Sequence, residues 1–157
     1  KPSRLKDDAM RLELLNAMRR MGTKIKQDFE QTTATWAHKP KFEVLVSLTQ
    51  PGPTVVVDTN DEIYRYVAEG TKPHAIRPKR ARMLAFPGTY RAKTTPGVIG
   101  SQAGGSSGEM RYASAVAHPG TKAREFHKLI AKKWQKSFRN EIHAVMKEVR
   151  AASGHSI

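Results

Sequence analysis

Six histidines are the side chains of this sequence best suited to acid–base catalysis or metal binding. Their spacing indicates neither a catalytic site nor a metal site. They stand at positions 38, 74, 118, 127, 143 and 155, and none belongs to an H-E-x-x-H zinc motif. The chain has no cysteine, which excludes a thiol nucleophile and a disulfide. No glycine-rich loop is followed by Lys and Ser or Thr, as a phosphate-binding loop requires. We therefore expect no enzyme activity, no catalytic residue, no metal site and no cofactor.

An acidic stretch admits a calcium-binding interpretation. Asp58, Asn60, Glu62 and Glu69 fall at positions 1, 3, 5 and 12 of a twelve-residue loop. Such a loop needs Gly at its sixth position for a sharp turn, and this chain has Ile63 there. A turn followed by a helix cap explains the same residues, and we favour that interpretation.

The His118-Pro119-Gly120-Thr121 segment joins a predicted strand to a predicted helix whose first turn carries Lys122 and Arg124. A helix N-terminus with basic side chains can hold an anion. Capping by Thr121 is the commoner use of such a residue, so we favour a tight connection with a threonine cap.

Basic residues give the strongest signal. Four cations occur within residues 77–82, and the last predicted helix carries a stripe at helical spacing. The residues expected to face DNA or a protein partner are Arg77, Lys79, Arg80, Arg82, Lys128, Lys132, Lys136 and Arg139. No aromatic side chain is evidently exposed beside them, so contacts to DNA would be to phosphates and insensitive to sequence. The alternative is a solvated face that keeps the protein soluble.

The charge of the chain is unevenly distributed. The 157 residues carry a net charge of +14 at pH 7, of which residues 1–71 contribute +1, residues 72–110 contribute +6 and residues 111–157 contribute +7. Such asymmetry indicates a polyanionic neighbour. The longest apolar run is Met83–Phe86, far shorter than a membrane helix, so we expect no membrane partner. The length predicts a single domain over residues 1–157.

Apolar residues at three- and four-residue spacing predict the first long helix. The series runs from Leu14 to Trp36 and predicts a helix over residues 4–36, with Ser3 as its cap. Gly22 is expected to weaken its middle. Pro40 ends it, because a proline disfavours helical geometry at the residue before it.

A second series runs from Phe126 to Val149 and predicts the last helix, over residues 122–151. Thr121 is its expected cap, with Glu125 in its first turn. Residues 153–155 (Ser-Gly-His) are expected to end it. A short helix over residues 62–69 is predicted between the two long ones, ended by Gly70.

Alternating apolar residues predict strands at 41–49, 54–58, 81–87 and 110–117, the first two joined by a turn at residues 50–53. The order of elements predicts an α+β fold, in which an antiparallel sheet of about four strands packs with two long helices and one short helix. Residues 88–109 hold six glycines and no apolar period, which predicts a flexible loop at the tip of a hairpin.

Several short segments resemble the minor tail or tail-completion proteins of long-tailed bacteriophages, over about residues 5–150. These segments are Tyr64–Thr71, Ile76–Lys79, Met83–Phe86 and Val116–Gly120, followed by Phe126. The most specific parts are Glu69-Gly70-Thr71, with Tyr66 three residues before Glu69, and His118-Pro119-Gly120 before a helix. We call these the EGT motif and the HPG motif.

The resemblance implies a structural virion protein of the neck, at the head–tail junction. It implies a homo-oligomeric ring, six-fold or twelve-fold, around the DNA exit path, with neighbouring head-connector and tail proteins as partners. Such a protein is assembled in the host cytoplasm and contacts phage DNA by non-specific electrostatics. Gly70, Pro119 and Gly120 would then have architectural roles. One alternative is a sequence-nonspecific nucleic-acid-binding protein that acts outside such a ring, and another is a small hydrolase whose site the sequence does not reveal.

Overall fold

Three helices and six short strands build the protein in a computed structural model, which describes residues 7–49 and 52–152. The elements are α1 (Asp7–Thr32), β1 (Glu43–Ser47), β2 (Thr54–Asp58), α2 (Glu62–Glu69), β3 (His74–Ile76), β4 (Leu84–Arg91), β5 (Gly105–Ala113), β6 (Val116–His118) and α3 (Phe126–Ala152). All strand pairs are antiparallel. The α+β prediction is confirmed. The chain forms two compact units, described separately below.

The first unit comprises residues 7–29, 41–49, 52–59 and 130–152 of the described chain. Its core consists of apolar side chains from the helical stripes that the sequence predicts. The buried members of this cluster are Leu14, Ala17, Met18, Ile142 and Val145. Phe29 and Phe42 are also buried in this unit, with ring centres 5.4 Å apart.

Strands β1 and β2 form a hairpin whose alternate residues face opposite sides, as a period of two predicts. Val46 and Val55, which pair across the strands, pack on the core cluster. Gly22 of α1 is buried against the same side. A Cβ atom there would overlap the Val44 side chain and stand 3.2 Å from Cγ1 of Val55. The glycine that weakens α1 thus leaves room for the hairpin to lie close against the helix.

The second unit comprises residues 30–40 and 60–129. It contains α2, the β4–β5 hairpin and the β3–β6 pair, in which His74 lies opposite His118. The register of β4 and β5 shifts between Pro87 and Thr89, where β5 has one extra residue.

The prediction of one four-stranded sheet is wrong, because the strands form three separate two-stranded ladders. Alternation of apolar residues identifies a strand but does not choose its partner, and here β1 pairs only with β2 and β4 only with β5 in the described chain. The predicted strand over 110–117 is two strands, β5 and β6, separated by Ser114 and Ala115. Strand β3 was not predicted, since its three residues are too short for a pattern.

All three helices agree with the predictions in position, and the two long helices differ from them at their ends. Helix α2 has the predicted bounds. Helix α1 ends at Thr32 in a turn rather than at residue 36, and the predicted start at residue 4 and the Ser3 cap lie outside the described residues. Helix α3 starts four residues later than predicted, at Phe126, and the predicted end at residues 153–155 also lies outside. So do Gln50 and Pro51 of the predicted turn.

The glycine-rich segment is a hairpin tip, but its predicted bounds of 88–109 are too wide. Strand β4 continues to Arg91 and β5 begins at Gly105, so that the loop itself covers residues 92–104. Residues of this loop bond to the chain just after α1: Lys93 Nζ donates to the carbonyl of Thr35 at 2.8 Å, and the amide of Thr35 donates to Ser101 Oγ at 3.2 Å. Mobility of the segment stays a prediction.

Candidate functional site

The EGT and HPG motifs, about fifty residues apart in sequence, meet in the second unit. Thr71 N–H donates to the carbonyl of Thr121 at 2.9 Å, and Thr121 N–H donates back to the carbonyl of Thr71 at 3.1 Å. Thr71 Oγ1 also accepts from Thr121 N–H, at 3.0 Å. This isolated antiparallel bridge, with the glycine before each threonine, is here called the motif junction. The two most specific patterns of the sequence therefore form one piece of structure.

Both positions of the motif junction require glycine for two reasons, the backbone conformation and the lack of space for a Cβ atom. Gly70 has φ +80° and Gly120 has φ +88°, values that residues with a Cβ atom rarely adopt. A Cβ on Gly70 would stand 2.5 Å from the carbonyl oxygen of Thr121 and 2.8 Å from the nitrogen of Ala123. A Cβ on Gly120 would overlap the carbonyl oxygen of Thr71. These neighbours are backbone atoms, which cannot move aside without opening the bridge.

His118 of the HPG motif orients its own turn. Its Nδ1 accepts the N–H of Gly120 at 3.0 Å. Across the β3–β6 pair, His74 Nδ1 donates to the carbonyl of Lys72 at 2.8 Å, and the two imidazole rings are 5.0 Å apart. Both rings thus bond to backbone atoms of the segments that lead into the motif junction.

The segment between the motif junction and α3 satisfies the carboxyl end of α2. Arg124 N–H donates to the carbonyl of Val67 at 3.2 Å, and Glu125 N–H donates to that of Ala68 at 2.9 Å. These are carbonyls that a helix end leaves without intrahelical partners. The prediction that Thr121 caps α3 is therefore wrong. Thr121 lies five residues before the first residue of α3 and pairs with Thr71. The anion site considered at that helix start loses its geometric basis.

An aromatic stack lies beneath this connection. Tyr64 of α2 is buried, with its ring centre 6.4 Å from that of Trp36 and 6.0 Å from that of Phe126. Phe126 is fully buried at the start of α3. Trp36 and Phe126 therefore pack on Tyr64 and hold α2 in place beside the motif junction.

Asp61 caps α2, which agrees with a turn and helix cap in the acidic stretch, although the sequence did not single out this residue. Its Oδ1 accepts the N–H of Tyr64 at 2.7 Å, and Oδ2 pairs with His38 Nε2. Burial raises the pKa of the Asp61 carboxyl. The hydrogen bonds from His38 and from the Tyr64 amide, with the charge of His38, outweigh that effect, so the pKa lies below its ordinary value of 3.8.

The remaining members of the EGT motif face solvent. Tyr66 is 48% exposed, and the guanidinium carbon of Arg65 stands 5.8 Å from the centre of its ring. Glu69 is exposed too. Pro119 is exposed, between the half-buried His118 and Gly120 of the HPG motif. The site residues thus divide into an architectural set at the motif junction and a surface set available to a partner.

All eight cations predicted to face DNA or a partner are exposed. Arg77, Lys79, Arg80 and Arg82 lie between β3 and β4 in the second unit. Lys132, Lys136 and Arg139 lie on α3 in the first unit. Lys128 differs from the others, because its ammonium forms an ion pair with Glu125 at 2.5 Å.

Asp28 is a buried charged residue that sequence reasoning missed. In the first unit, its carboxylate accepts from Lys133 Nζ at 2.7 and 3.0 Å and from the indole N–H of Trp134 at 2.7 Å. The signal was present in the sequence: Asp28 lies three residues after Ile25 and four before Thr32, on the apolar face of α1. A carboxylate on such a face needs donors from a facing element.

A cavity of about 410 Å³ opens in the second unit beside the motif junction. Its walls include the rings of Trp36 and Tyr90 and the cationic side chains of Lys93 and Arg124. Within residues 7–49 and 52–152, no group of three potential metal ligands lies together. In the same part of the chain, no helix has the length and apolar character needed to cross a bilayer.

Comparison of the chain with protein-family models, with curated proteins and with solved structures finds no match.

Proposed function

We propose that this protein is a structural component of a bacteriophage neck, where it forms a ring around the path by which DNA leaves the head. The observation that carries the proposal is the motif junction. Thr71 of the EGT motif and Thr121, which directly follows the HPG motif, are mutual backbone partners, so the two motifs that hold the resemblance to tail-completion proteins lie against each other. Residues with architectural roles at such a junction suit a protein whose task is assembly.

The surface charge supports the same function. A passage for DNA must guide the duplex without gripping it, which favours weak attraction spread over a ring of copies. The exposed cations of α3 suit that task, since the Debye length is about 8 Å in 0.15 M salt and attraction fades quickly away from the wall. Phage DNA, a head-connector protein and a tail protein are the partners that this function requires.

A test of the cationic stripe uses a triple neutralisation, Lys132→Gln with Lys136→Gln and Arg139→Gln. Exposed charges contribute little to stability, so the free energy of unfolding should change by no more than about 1 kcal/mol. The melting temperature should accordingly stay close to that of the parent chain. Assembly of infectious particles should fall. If the triple variant folds, assembles and delivers DNA as the parent does, the stripe serves solubility alone.

A second candidate function is binding of nucleic acid outside any ring, which the exposed cations between β3 and β4 favour. Sedimentation of the purified chain at several salt concentrations, with and without duplex DNA, separates the two. A ring protein self-associates whether or not DNA is present. A binding module stays monomeric and binds duplex with an affinity that falls steeply as salt rises. The second outcome would overturn the neck proposal.

A further inference from the structure

The outward side of the β1–β2 hairpin combines exposed apolar and acidic residues. Leu45 and Val56 lie opposite each other there and are 56% and 45% exposed. The next pair on the same side is Glu43 opposite Asp58, both exposed. We call this side of the hairpin the acidic face.

The two carboxylates of the acidic face, Glu43 and Asp58, repel each other and so destabilise the hairpin. Like charges directly opposite each other destabilise a strand pair. Neither residue belongs to any of the side-chain ion pairs found within the described residues. Moreover, residues 42–62 carry four acidic side chains and no basic one. A cationic partner would relieve this repulsion.

One side of the β4–β5 hairpin has the complementary character. Tyr112 lies opposite Ala85 and Met110 lies opposite Pro87; the tyrosine is 66% exposed and the methionine 51%. By alternation along β4, Arg91 at the end of the strand is on this side too. We call it the ribbon face. The sequence did not indicate these exposed aromatic and apolar residues beside cations.

The charge around the ribbon face is strongly positive. Residues 72–113 carry eight basic side chains and one acidic, Glu109. Arg82, two residues before β4, and Arg91, its last residue, bracket the strand, and both are exposed. An apolar centre with charges at its border is the usual make-up of a protein interface.

We propose that the acidic face of one copy of this chain docks on the ribbon face of a second copy. Leu45 and Val56 would cover Met110 and Tyr112, while Glu43 and Asp58, which lie side by side at one end of the acidic face, would approach one of the two bracketing arginines, since these stand at opposite ends of β4. This inference rests on the proposed ring and identifies the surfaces through which neighbouring copies meet. A contact between two different patches repeats from copy to copy, and it gives a ring where the rotation closes.

A charge exchange tests this contact on the full chain. Variant X carries Glu43→Lys with Asp58→Lys, and variant Y carries Arg82→Glu with Arg91→Glu. Sedimentation velocity should show self-association weakened on the order of tenfold or more in X alone and in Y alone, because each now meets a face of its own sign. An equal mixture of X and Y should regain association. Alternating copies suit a ring of six or twelve.

Two controls match these variants in charge. Arg19→Glu with Lys24→Glu alters exposed residues of α1, and Glu13→Lys with Glu148→Lys alters exposed residues of α1 and α3. Both should associate as the parent chain does, and circular dichroism should show the same fold in all variants. A further variant, Leu45→Thr, keeps a strand-forming residue and should weaken association through lost apolar contact.

The outcomes distinguish this contact from the ring itself. If the parent chain self-associates and X and Y do so equally well, the ring stands but its contact lies elsewhere. If X and Y fail alone and their mixture also fails, the pairing of the two faces is wrong. If the parent chain remains monomeric at every concentration tested, both the contact and the neck proposal are contradicted.

Discussion

Replacing Gly120 by alanine tests whether the motif junction holds the second unit together. The new methyl group would meet the carbonyl oxygen of Thr71 and stand 3.0 Å from the carbonyl carbon of Lys72. At φ +88° a residue with a Cβ also loses about 1–2 kcal/mol relative to glycine. If the overlap opens the bridge to Thr71, two backbone hydrogen bonds are lost, each with a net value of about 0.5–1.5 kcal/mol. The sum is a destabilisation of roughly 2–5 kcal/mol.

The assay is urea unfolding followed by circular dichroism, with Gly97→Ala as the matched control. Gly97 also has a positive φ, +77°, but a Cβ there would have nothing within 4 Å. Its replacement therefore carries the conformational cost alone, at most about 1–2 kcal/mol. The difference between the two variants measures the close approach at the motif junction. A Gly120→Ala variant no less stable than Gly97→Ala would refute the reasoning.

Three further predictions concern other parts of the chain. Asp28→Ala leaves an ammonium and an indole N–H without this acceptor and should lower the free energy of unfolding by about 2–4 kcal/mol, measured in urea. Asp61 has a lowered pKa, so its contribution to stability is present above pH 3.8 and is lost as pH falls further. Asp61→Asn keeps the cap but loses the charge facing His38, and its acid unfolding profile should be flatter below that pH. For residues 88–109, hydrogen exchange should be fast at 92–104 in the subunit alone and slower after assembly; strong protection of this loop before assembly would contradict the prediction.

The helices and the first hairpin could be predicted because their signals are local. A period of 3.6 over Leu14 to Phe29, and of 2 over β1, depends on which face of one element is buried. Helix α2 has the predicted bounds, since Gly70 marks its end by a left-handed turn; the Asp61 cap at its start was not singled out in the sequence.

The pairings that the sequence could not predict are those set by distant residues. Thr121 was assigned to a helix cap because threonine caps helices, yet its amide is taken by Thr71, which is fifty residues away. The same bridge brings three-residue strands β3 and β6 together, and neither is long enough to show a period. Single-sequence patterns carry no information on such long-range partners.

The residues of the candidate site also divide into those with a local signal in the sequence and those without one. The glycines and the cations could be selected from the sequence, because residue type alone indicates a left-handed turn or a surface charge. The exposed Tyr112 and Met110 could not, since apolar residues in a strand normally predict a buried side. The buried position of Asp28 could not be predicted either, because its donors, Lys133 and Trp134, lie more than a hundred residues further along the chain.

Electron microscopy of purified phage particles labelled with gold-conjugated antibodies against this chain tests its proposed place most directly. Particles from a host in which the chain is produced during infection should carry gold at the junction of head and tail. Particles carrying a Gly120→Ala chain should show reduced labelling there, because the motif junction is opened. Gold distributed along the tail or over the head, or intact particles without any gold while the chain remains in the host extract, would contradict the account.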